Sequence, residues 1–373
     1  MSTASPVTAP TSSYETYLVM PYVDELHQLE ATYAQAMTHD VGTLAAWLRT
    51  QASKPLATFG AGGSLAIAEM AAVLHQRATG RLARSGEPMD LYFLDETTTD
   101  TAVLLVTASG GHSDSLFACR LLPDVPTDSA VLCGALDSEG QRLLAGTDVE
   151  VFAYPMLPKV HGWVAVNSIL AQAVVLARAY GEAFPEQIGA LPPTLWPLLP
   201  DPEGVDASLD LLTATLAGVL AKPALVLLHG PDTRTAQRDL DSKFAESGLG
   251  ELAASEYRNF AHGRYQALLP RESEFGILGI ASARESAVAA ATFAELPDEL
   301  PHRLIAIPGD SAAAEQVACV LNVLFVCGAL ERVRGTAVGW GSRNTFGDTL
   351  YEFDLTPIFR PHGPSATVPL PPR

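Results

Sequence analysis

Two loops rich in glycine and hydroxyl side chains are the parts of this sequence best suited to binding an anion. The longer loop, residues 107–115, reads Thr-Ala-Ser-Gly-Gly-His-Ser-Asp-Ser, and the shorter one, residues 60–64, reads Gly-Ala-Gly-Gly-Ser. Glycines let the backbone approach a ligand, and a helix start offers free N–H groups and the positive end of a dipole. We therefore expect an anion here, with phosphate as the first candidate, although the same residue types also cap helices. The residues expected to hold it are Gly62, Gly63, Ser64, Thr107, Ser109, Gly110, His112 and Ser115.

The chain around these loops alternates between short apolar runs and longer segments with helical spacing. In the first half, strands are predicted over residues 56–59, 90–94, 102–106, 130–136 and 149–154, and helices over 22–50, 64–79, 113–122 and 161–180. In the second half, strands are predicted over 223–229, 275–281 and 304–307, and helices over 234–247, 284–295 and 312–330. Strands of β-branched and aliphatic residues between helices predict an α/β fold with two doubly wound parallel sheets flanked by helices. Both loops should then lie at the carboxyl edge of the first sheet, where ligands bind in such folds.

A proline-rich break separates the two halves, and their similar layout suggests an old duplication. The predicted organisation is an N-terminal tail over residues 1–20, a first domain over 21–190, a linker over 191–204, a second domain over 205–355 and a proline-rich arm over 356–373.

Composition narrows the class of protein and its partners. Hydrophobic residues make up 48% and charged residues 17% of the 373 positions, which is typical of a globular protein with a large buried surface. There are 42 acidic against 23 basic residues, a net charge of −19, and no Lys/Arg cluster. This balance argues against nucleic acid or an anionic membrane surface as a partner. The most apolar segments, 163–177 and 317–330, are too short to span a bilayer.

The cysteines and the glycine loops give no indication of a cofactor. The four cysteines occur singly in apolar runs, so we expect them to be reduced, buried and not metal-binding in a cytoplasmic protein. The sequence has no Gly-x-x-x-x-Gly-Lys-Ser/Thr loop and only a loose form of the dinucleotide-binding fingerprint. We therefore expect neither a metal nor a nucleotide cofactor.

The two glycine loops together resemble those of the sugar isomerase (SIS) domain, a family that binds phosphosugars. In that family a glycine-rich turn ending in serine is followed by Ser-Gln-Ser-Gly-x-Thr-x-Asp-Thr, whose hydroxyls hold the sugar phosphate. Thr107, the Ser109-Gly pair and Asp114 match this pattern. Ala108 replaces the usual glutamine and His112 the usual threonine. The His112 ring could still donate a hydrogen bond, or it could narrow the pocket or select a different anion.

The second half is similar to the isomerase half of glucosamine-6-phosphate synthase, where a Lys-x-x-Glu helix precedes a Lys-His-Gly-Pro segment. Lys243 and Glu246 match the helix, and His262 matches the histidine. The resemblance covers about residues 40–350. It implies an aldose–ketose isomerase or a related phosphosugar enzyme, with a small-molecule phosphosugar as ligand and a homodimer whose sites form between subunits.

Aldose–ketose isomerisation needs a base that removes a proton beside a carbonyl and returns it to the neighbouring carbon. Glu246 is the candidate base, and His262 is the candidate for opening the sugar ring, because histidine transfers protons near neutral pH. Lys243, one helical turn before Glu246, could stabilise developing negative charge or merely pair with Glu246. Arg258 and Arg264 flank His262 and could contact an anionic substrate, although Arg264 could instead brace its loop.

Each of these residues also has a structural interpretation. A glutamate on an amphipathic helix is ordinarily solvated, and a Lys243–Glu246 pair is ordinarily a weak surface interaction. His229, at the end of a predicted strand, could be a ligand or a capped, satisfied histidine. The functions left open are therefore isomerisation, deamination of an amino-sugar phosphate, and binding of a phosphosugar by a sensor without turnover. Ala108 and His112 slightly favour the sensor, whereas Lys243, Glu246 and His262 together favour an enzyme, which is the first hypothesis.

Overall fold

The computed structural model describes residues 20–94, 100–156, 162, 164–339 and 345–359. The strands of its first sheet are β1 (Leu56–Phe59), β2 (Ala83–Gly86), β3 (Ala102–Thr107), β4 (Ser129–Cys133) and β5 (Glu150–Ala153). Those of its second sheet are β6 (Ala224–His229), β7 (Glu251–Glu256), β8 (Phe275–Ala281) and β9 (His302–Ala306). The spatial orders are β2-β1-β3-β4-β5 and β7-β6-β8-β9, and all paired strands are parallel. The predicted α/β class with two parallel sheets is confirmed.

Helices flank both sheets. In the first half they are α1 (Tyr22–Leu26), α2 (Leu29–Ala36), α3 (Gly42–Thr50), α4 (Gly63–Thr79), α5 (Pro88–Tyr92), α6 (Ser113–Leu121), α7 (Glu139–Leu144), α8 (Asn167–Ala183) and α9 (Pro185–Ile188). They continue with α10 (Val205–Leu220), α11 (Arg234–Ser247), α12 (Tyr257–Ala261), α13 (Ser286–Ala294), α14 (Ala312–Arg334) and α15 (Thr345–Tyr351). Short 3-10 turns occur at Leu122–Asp124, Trp196–Leu198, Arg264–Ala267 and Leu269–Glu274.

Helices α4, α8, α11 and α14 bring the two halves together. α4 packs on β1 and β3, α11 packs on β6 and β7, and α4 and α11 pack against each other. One continuous hydrophobic core includes residues from both halves, and it also takes in Leu195, Leu198 and Leu199 of the proline-rich segment. The contact between α4 and α11 is therefore the feature that places residues of the second half beside the loops of the first.

α14 is the most apolar element of the fold. Among the described residues it is the one helix long and apolar enough to cross a membrane, and its whole apolar stretch is buried inside the protein. The apolar segment 317–330 is shorter than a membrane span, whereas the helix that contains it has 23 residues. Its uniform hydrophobicity is explained by burial on every side.

Several predicted elements were wrong or incomplete. Residues 90–92 of the predicted strand 90–94 belong to helix α5, because Glu87 and Asp90 form a capping box and Pro88 occupies the first helical turn. The edge strand is β2 instead. The predicted strand 130–136 ends at Cys133, and a helix, α7, follows it. The helical region 22–50 is divided into three helices. The sequence analysis did not identify α10, β7 or α12.

Some predictions fall on residues outside the described part of the chain. These are the tail up to residue 19, the arm from residue 360 onwards and the predicted helix start at residue 161; the helix that follows begins at Asn167.

Candidate functional site

The loop after β3 is held together by its own hydroxyl groups. The Oγ1 of Thr107 and the Oγ of Ser115 lie 3.0 Å apart, and both residues are buried. Thr107 Oγ1 also accepts a hydrogen bond from the backbone N–H of Gly110 at 3.1 Å. Ser109 is exposed, and its Oγ lies 3.3 Å from the backbone nitrogen of Gly111. Thr107 and Ser115 thus form the floor of the loop, and the Ser109 hydroxyl faces solvent at its rim.

Gly110 packs so closely against a third loop, which follows β4, that no side chain fits at its position. Its φ of 63° is in the left-handed region, and a β-carbon there would overlap the Oγ of Ser138 and lie 2.9 Å from the Ser138 Cβ. Ser138 cannot simply turn away, because its Oγ accepts from the backbone N–H of Gln141 and caps α7. Ser138 is not among the residues predicted from the sequence. Its Ser-x-x-Gln capping box, following a buried strand, was the signal that could have located it.

His112 acts as the N-cap of α6. Its Nδ1 accepts from the backbone N–H of Asp114 at 3.3 Å, which assigns the proton of the neutral ring to Nε2. The Asp114 Oδ2 lies 3.5 Å from the same nitrogen. The ring of Tyr351, in α15, packs edge-on with its centroid 4.3 Å from that of His112. Helix α15 therefore covers one side of the loop after β3.

The shorter loop lies beside the carboxylate of Glu246. A β-carbon placed on Gly62, which caps α4, would be 3.8 Å from Glu246 Oε1. Glu246 is half-buried in the last turn of α11, where its Oε1 accepts from the Ser242 hydroxyl. Gly63 and Ser64 follow in the first turn of α4 and are partly exposed. The packing of α4 on α11 thus brings the candidate base to the glycine turn within one chain.

Lys243 is placed differently from the expectation. Pairing with Glu246, one of the two roles considered for Lys243, does not occur: Lys243 pairs with Asp239, four residues earlier, and both side chains are buried. Burial raises the pKa of the Asp239 carboxyl, and the charge of Lys243 opposes that rise. Asp239 is not among the residues predicted from the sequence, although its spacing of four residues from Lys243 was the available signal.

The structure does not bring His262 to Glu246 within one chain. Arg234 begins α11, and its Nη2 lies 3.8 Å from Oε1 of Glu256, the N-cap of α12. α12 is therefore next to the start of α11, whereas Glu246 lies 12 residues on, which is about 18 Å along the helix. The exposed His262 side chain, just after α12, makes no hydrogen bond or ion pair with the described part of the chain.

The two arginines near His262 are also exposed. Arg258 borders a cavity of about 1040 Å³ between the α12 region and α13, together with apolar residues such as Leu268 and Leu296. No residue of the two glycine loops lines this cavity. Arg264 begins an exposed 3-10 turn. Neither guanidinium forms an ion pair with another described residue.

His229 ends β6 at the carboxyl edge of the second sheet. It is buried, and its Nδ1 lies 3.1 Å from the carbonyl oxygen of Gly230, so the ring donates there. Burial lowers the pKa of His229, and the bond to Gly230 partly offsets this. This geometry is that of a capped, satisfied histidine.

Over the described residues there is no group of three or more His, Cys, Asp or Glu side chains that could hold a metal ion.

Comparisons with known proteins give a likeness of fold. No family model matches the sequence, and no curated protein matches it. Among solved structures, the C-terminal domain of glucosamine-fructose-6-phosphate aminotransferase from Francisella tularensis is 13% identical, with a TM-score of 0.61 over 89% of this chain and 100% of that chain. Tagatose-6-phosphate ketose/aldose isomerase from Escherichia coli is 18% identical, with a TM-score of 0.62 over 84% of this chain and 92% of that one.

Glucosamine-6-phosphate deaminase from Thermotoga maritima is similar to the same extent. It is 13% identical, with a TM-score of 0.58 over 86% of this chain and 97% of that one. At such identities the likeness concerns the fold alone. The chain therefore has the two-sheet α/β fold of SIS-type phosphosugar proteins.

Proposed function

We propose that this protein binds a phosphosugar and interconverts its aldose and ketose forms by proton transfer through an enediol. The observation that carries the proposal is the carboxylate of Glu246 beside Gly62, next to the loops expected to hold the phosphate. The names of the structural neighbours, which include a ketose/aldose isomerase and an amino-sugar-phosphate deaminase, support the same class of substrate. The proposal also includes an amino-sugar phosphate as the substrate, which the protein would isomerise or deaminate.

In this proposal the phosphate occupies the two glycine loops. Ser109, Ser64 and the backbone of Gly62 and Gly63 face it, while Thr107 and Ser115 hold the loop in shape through their mutual hydrogen bond. The buried Gly110 supports the loop by donating its N–H to Thr107. His112 contributes its Nε2–H once its Nδ1 is engaged as the helix cap. Hydroxyl and backbone N–H donors at helix starts stabilise the charge of a phosphate without any basic side chain.

The sugar then extends from its phosphate towards Glu246. A carboxylate beside the turn removes a proton from the carbon next to the carbonyl and returns it to the carbonyl carbon. The substrate is both oxidised and reduced in this step, at adjacent carbons, so the reaction needs no redox cofactor. Lys243 supports this step indirectly, because its buried pair with Asp239 fixes the helix face below Glu246.

His262 is proposed to act from a second copy of the chain. α12 lies about 18 Å from Glu246 along α11, so one chain does not assemble both groups around one sugar. A homodimer that places the His262 of one chain near the Ser109 loop of the other would complete the site, with Arg258 and Arg264 at its edge. Mixing inactive Glu246→Gln and His262→Ala variants should then restore activity in the mixed dimer. Mixtures that stay inactive would contradict a shared site.

A sensor without turnover is the second candidate, and one contact favours it. The Tyr351 ring against His112 narrows the approach to the anion loop at the position where Ala108 and His112 depart from the family pattern. The net charge of −19 supports a small-molecule ligand over nucleic acid or membrane in either case, and the reduced cysteines support a cytoplasmic location.

Solvent exchange distinguishes the two functions. Purified protein is incubated in deuterated water with fructose 6-phosphate, glucosamine 6-phosphate or pentose phosphates, and deuterium at C1 and C2 is measured by mass spectrometry. Exchange that depends on Glu246, but not on the exposed Asp241 of the same helix, supports the isomerase. Binding without exchange for every sugar would leave the sensor as the function.

A further inference from the structure

The second sheet has loops at the same places as the anion loops of the first. β6 and β8 are paired at the centre of the second sheet, as β1 and β3 are in the first, and each is followed by a loop and a helix. We call residues 60–64 and 107–115 the first cradle, and residues 230–233 and 282–285 the second cradle. Because both lie at carboxyl edges next to helix starts, both have the geometry that favours an anion.

The carboxylate of Glu285 occupies the second cradle. Its Oε1 accepts a hydrogen bond from the backbone N–H of Asp232 at 2.6 Å, and its Oε2 accepts one from the backbone N–H of Ser282 at 3.0 Å. The hydroxyl oxygen of Thr233 lies 3.0 Å from Oε2. Glu285 is only 5% exposed, so its charge is stabilised by these donors in place of water.

Gly230 shows how closely the carboxylate fits. A β-carbon at this position would overlap Glu285 Oε1 and lie 2.9 Å from the Cγ of the same side chain. The space against the glycine turn, where a bound anion would approach the backbone, is therefore already filled by the side chain.

The arginines around the second cradle are already paired with carboxylates of the protein. Arg77, near the end of α4, has its Nη1 2.6 Å from Glu315 Oε2 and 4.0 Å from Asp232 Oδ2. Arg284 Nε lies 3.5 Å from the same Asp232 oxygen. Three carboxylates, counting Glu285, thus face two guanidinium groups. A phosphate would add charge to a cluster that already has one negative charge in excess.

The first cradle differs in how its backbone groups are bonded. Its hydrogen bonds join Thr107, Ser115, Ser109 and the glycine backbone, and in the described part of the chain no carboxylate accepts a bond from the backbone of residues 107–112. We propose that Glu285 is a built-in substitute for a bound anion in the second cradle, so that each chain takes one phosphate and not two. The identity of that one ligand as a sugar phosphate rests on the proposed function.

Removing the carboxylate tests the proposal. Glu285→Ala should lower the midpoint of thermal unfolding by roughly 5–10 °C, because the buried backbone N–H groups of Asp232 and Ser282 lose their partner. Glu295→Ala is the matched control: Glu295 is exposed, lies at the other end of α13 and accepts no hydrogen bond from a described residue. Its midpoint should change by less than about 2 °C. Formate, a small carboxylate, should restore part of the lost midpoint in Glu285→Ala and leave Glu295→Ala unchanged.

A second variant covers the case in which the alanine variant does not fold. Glu285→Gln keeps the volume of the side chain, so it should be destabilised without any response to formate, because the cradle remains full. Equal midpoints for Glu285→Ala and Glu295→Ala, or an equal effect of formate on both, would overturn the proposal.

Calorimetric titration with inorganic phosphate gives an independent count. One phosphate bound per wild-type chain supports the filled second cradle, and two would overturn it. Formate rescue of Glu285→Ala in a protein that binds no phosphate would support the filled cradle while contradicting the proposed function, so the two can fail separately.

Discussion

Replacing Gly110 with alanine should weaken both the fold and the first cradle. The residue has a φ of 63°, and an alanine forced into the left-handed region costs about 1–2 kcal/mol. Its β-carbon would also overlap the Oγ of Ser138. Relieving that overlap either distorts the packing, at about 1–3 kcal/mol, or turns Ser138 away and loses the cap of α7, at about 1 kcal/mol.

The two contributions together predict a loss of about 2–5 kcal/mol in the free energy of unfolding, out of the roughly 5–15 kcal/mol usual for a protein. Urea unfolding followed by circular dichroism measures it. Gly111→Ala is the matched control, because the nearest atom to its β-carbon would be Ser109 Oγ at 4.0 Å. The expected change there is within about 1 kcal/mol. A Gly110→Ala variant as stable as Gly111→Ala would refute the geometry of this loop.

Three further predictions concern buried charges and thiols. Lys243→Met should cost about 3–5 kcal/mol, because it leaves Asp239 buried without a partner, and adding Asp239→Leu should recover most of that loss in urea unfolding. Burial lowers the pKa of His75 and His229, so below about pH 6.5 the unfolded chain binds more protons at these histidines than the folded chain does. The free energy of unfolding should therefore fall from pH 7 to pH 5, and less steeply in His75→Gln; an unchanged slope in that variant would contradict the assignment. Burial raises the pKa of the Cys119 thiol to about 12, and all four cysteines are free and buried. At pH 8 a thiol reagent should react slowly with the native protein, whereas all four thiols should react once the protein is unfolded. Rapid labelling of the native protein would contradict this prediction, because it would show that these side chains are accessible.

The elements predicted best from sequence are those whose own residues decide their structure. Helix α11 and strand β8 were placed residue for residue, over 234–247 and 275–281. β8 is a continuous apolar run with buried side chains throughout, and such a run has few alternatives. The edge strand β7 was missed because its exposed positions alternate with partly buried ones and it begins and ends with glutamate.

The parts of the site that local sequence encodes could be predicted. The parts that depend on contacts within a helix face or between distant residues could not. The glycine loops were found from composition and position. The partner of Lys243 was not, because Asp239 and Glu246 are both within reach along one helix, and only burial selects Asp239. The role of Glu285 depends on Asp232, which is 53 residues away, and no local pattern reveals such a contact.

The distance between Glu246 and His262 could not be predicted from the sequence either, because it depends on the fold. In the sequence they are 16 residues apart and read as one site. A strand and a helix lie between them, and these return the chain to the opposite end of α11. Sequence spacing could therefore supply the two residues but not their separation in the fold.

The most direct test of the proposed chemistry is the rate at which the wild-type protein exchanges the C1 or C2 proton of a sugar phosphate with deuterated water. We predict measurable exchange, a loss of about 10²–10⁴-fold in Glu246→Gln with phosphate affinity retained, and an unchanged rate in Asp241→Asn. Exchange that survives in Glu246→Gln would contradict the assignment of the base, and tight sugar-phosphate binding with no exchange in the wild type would contradict the isomerase itself.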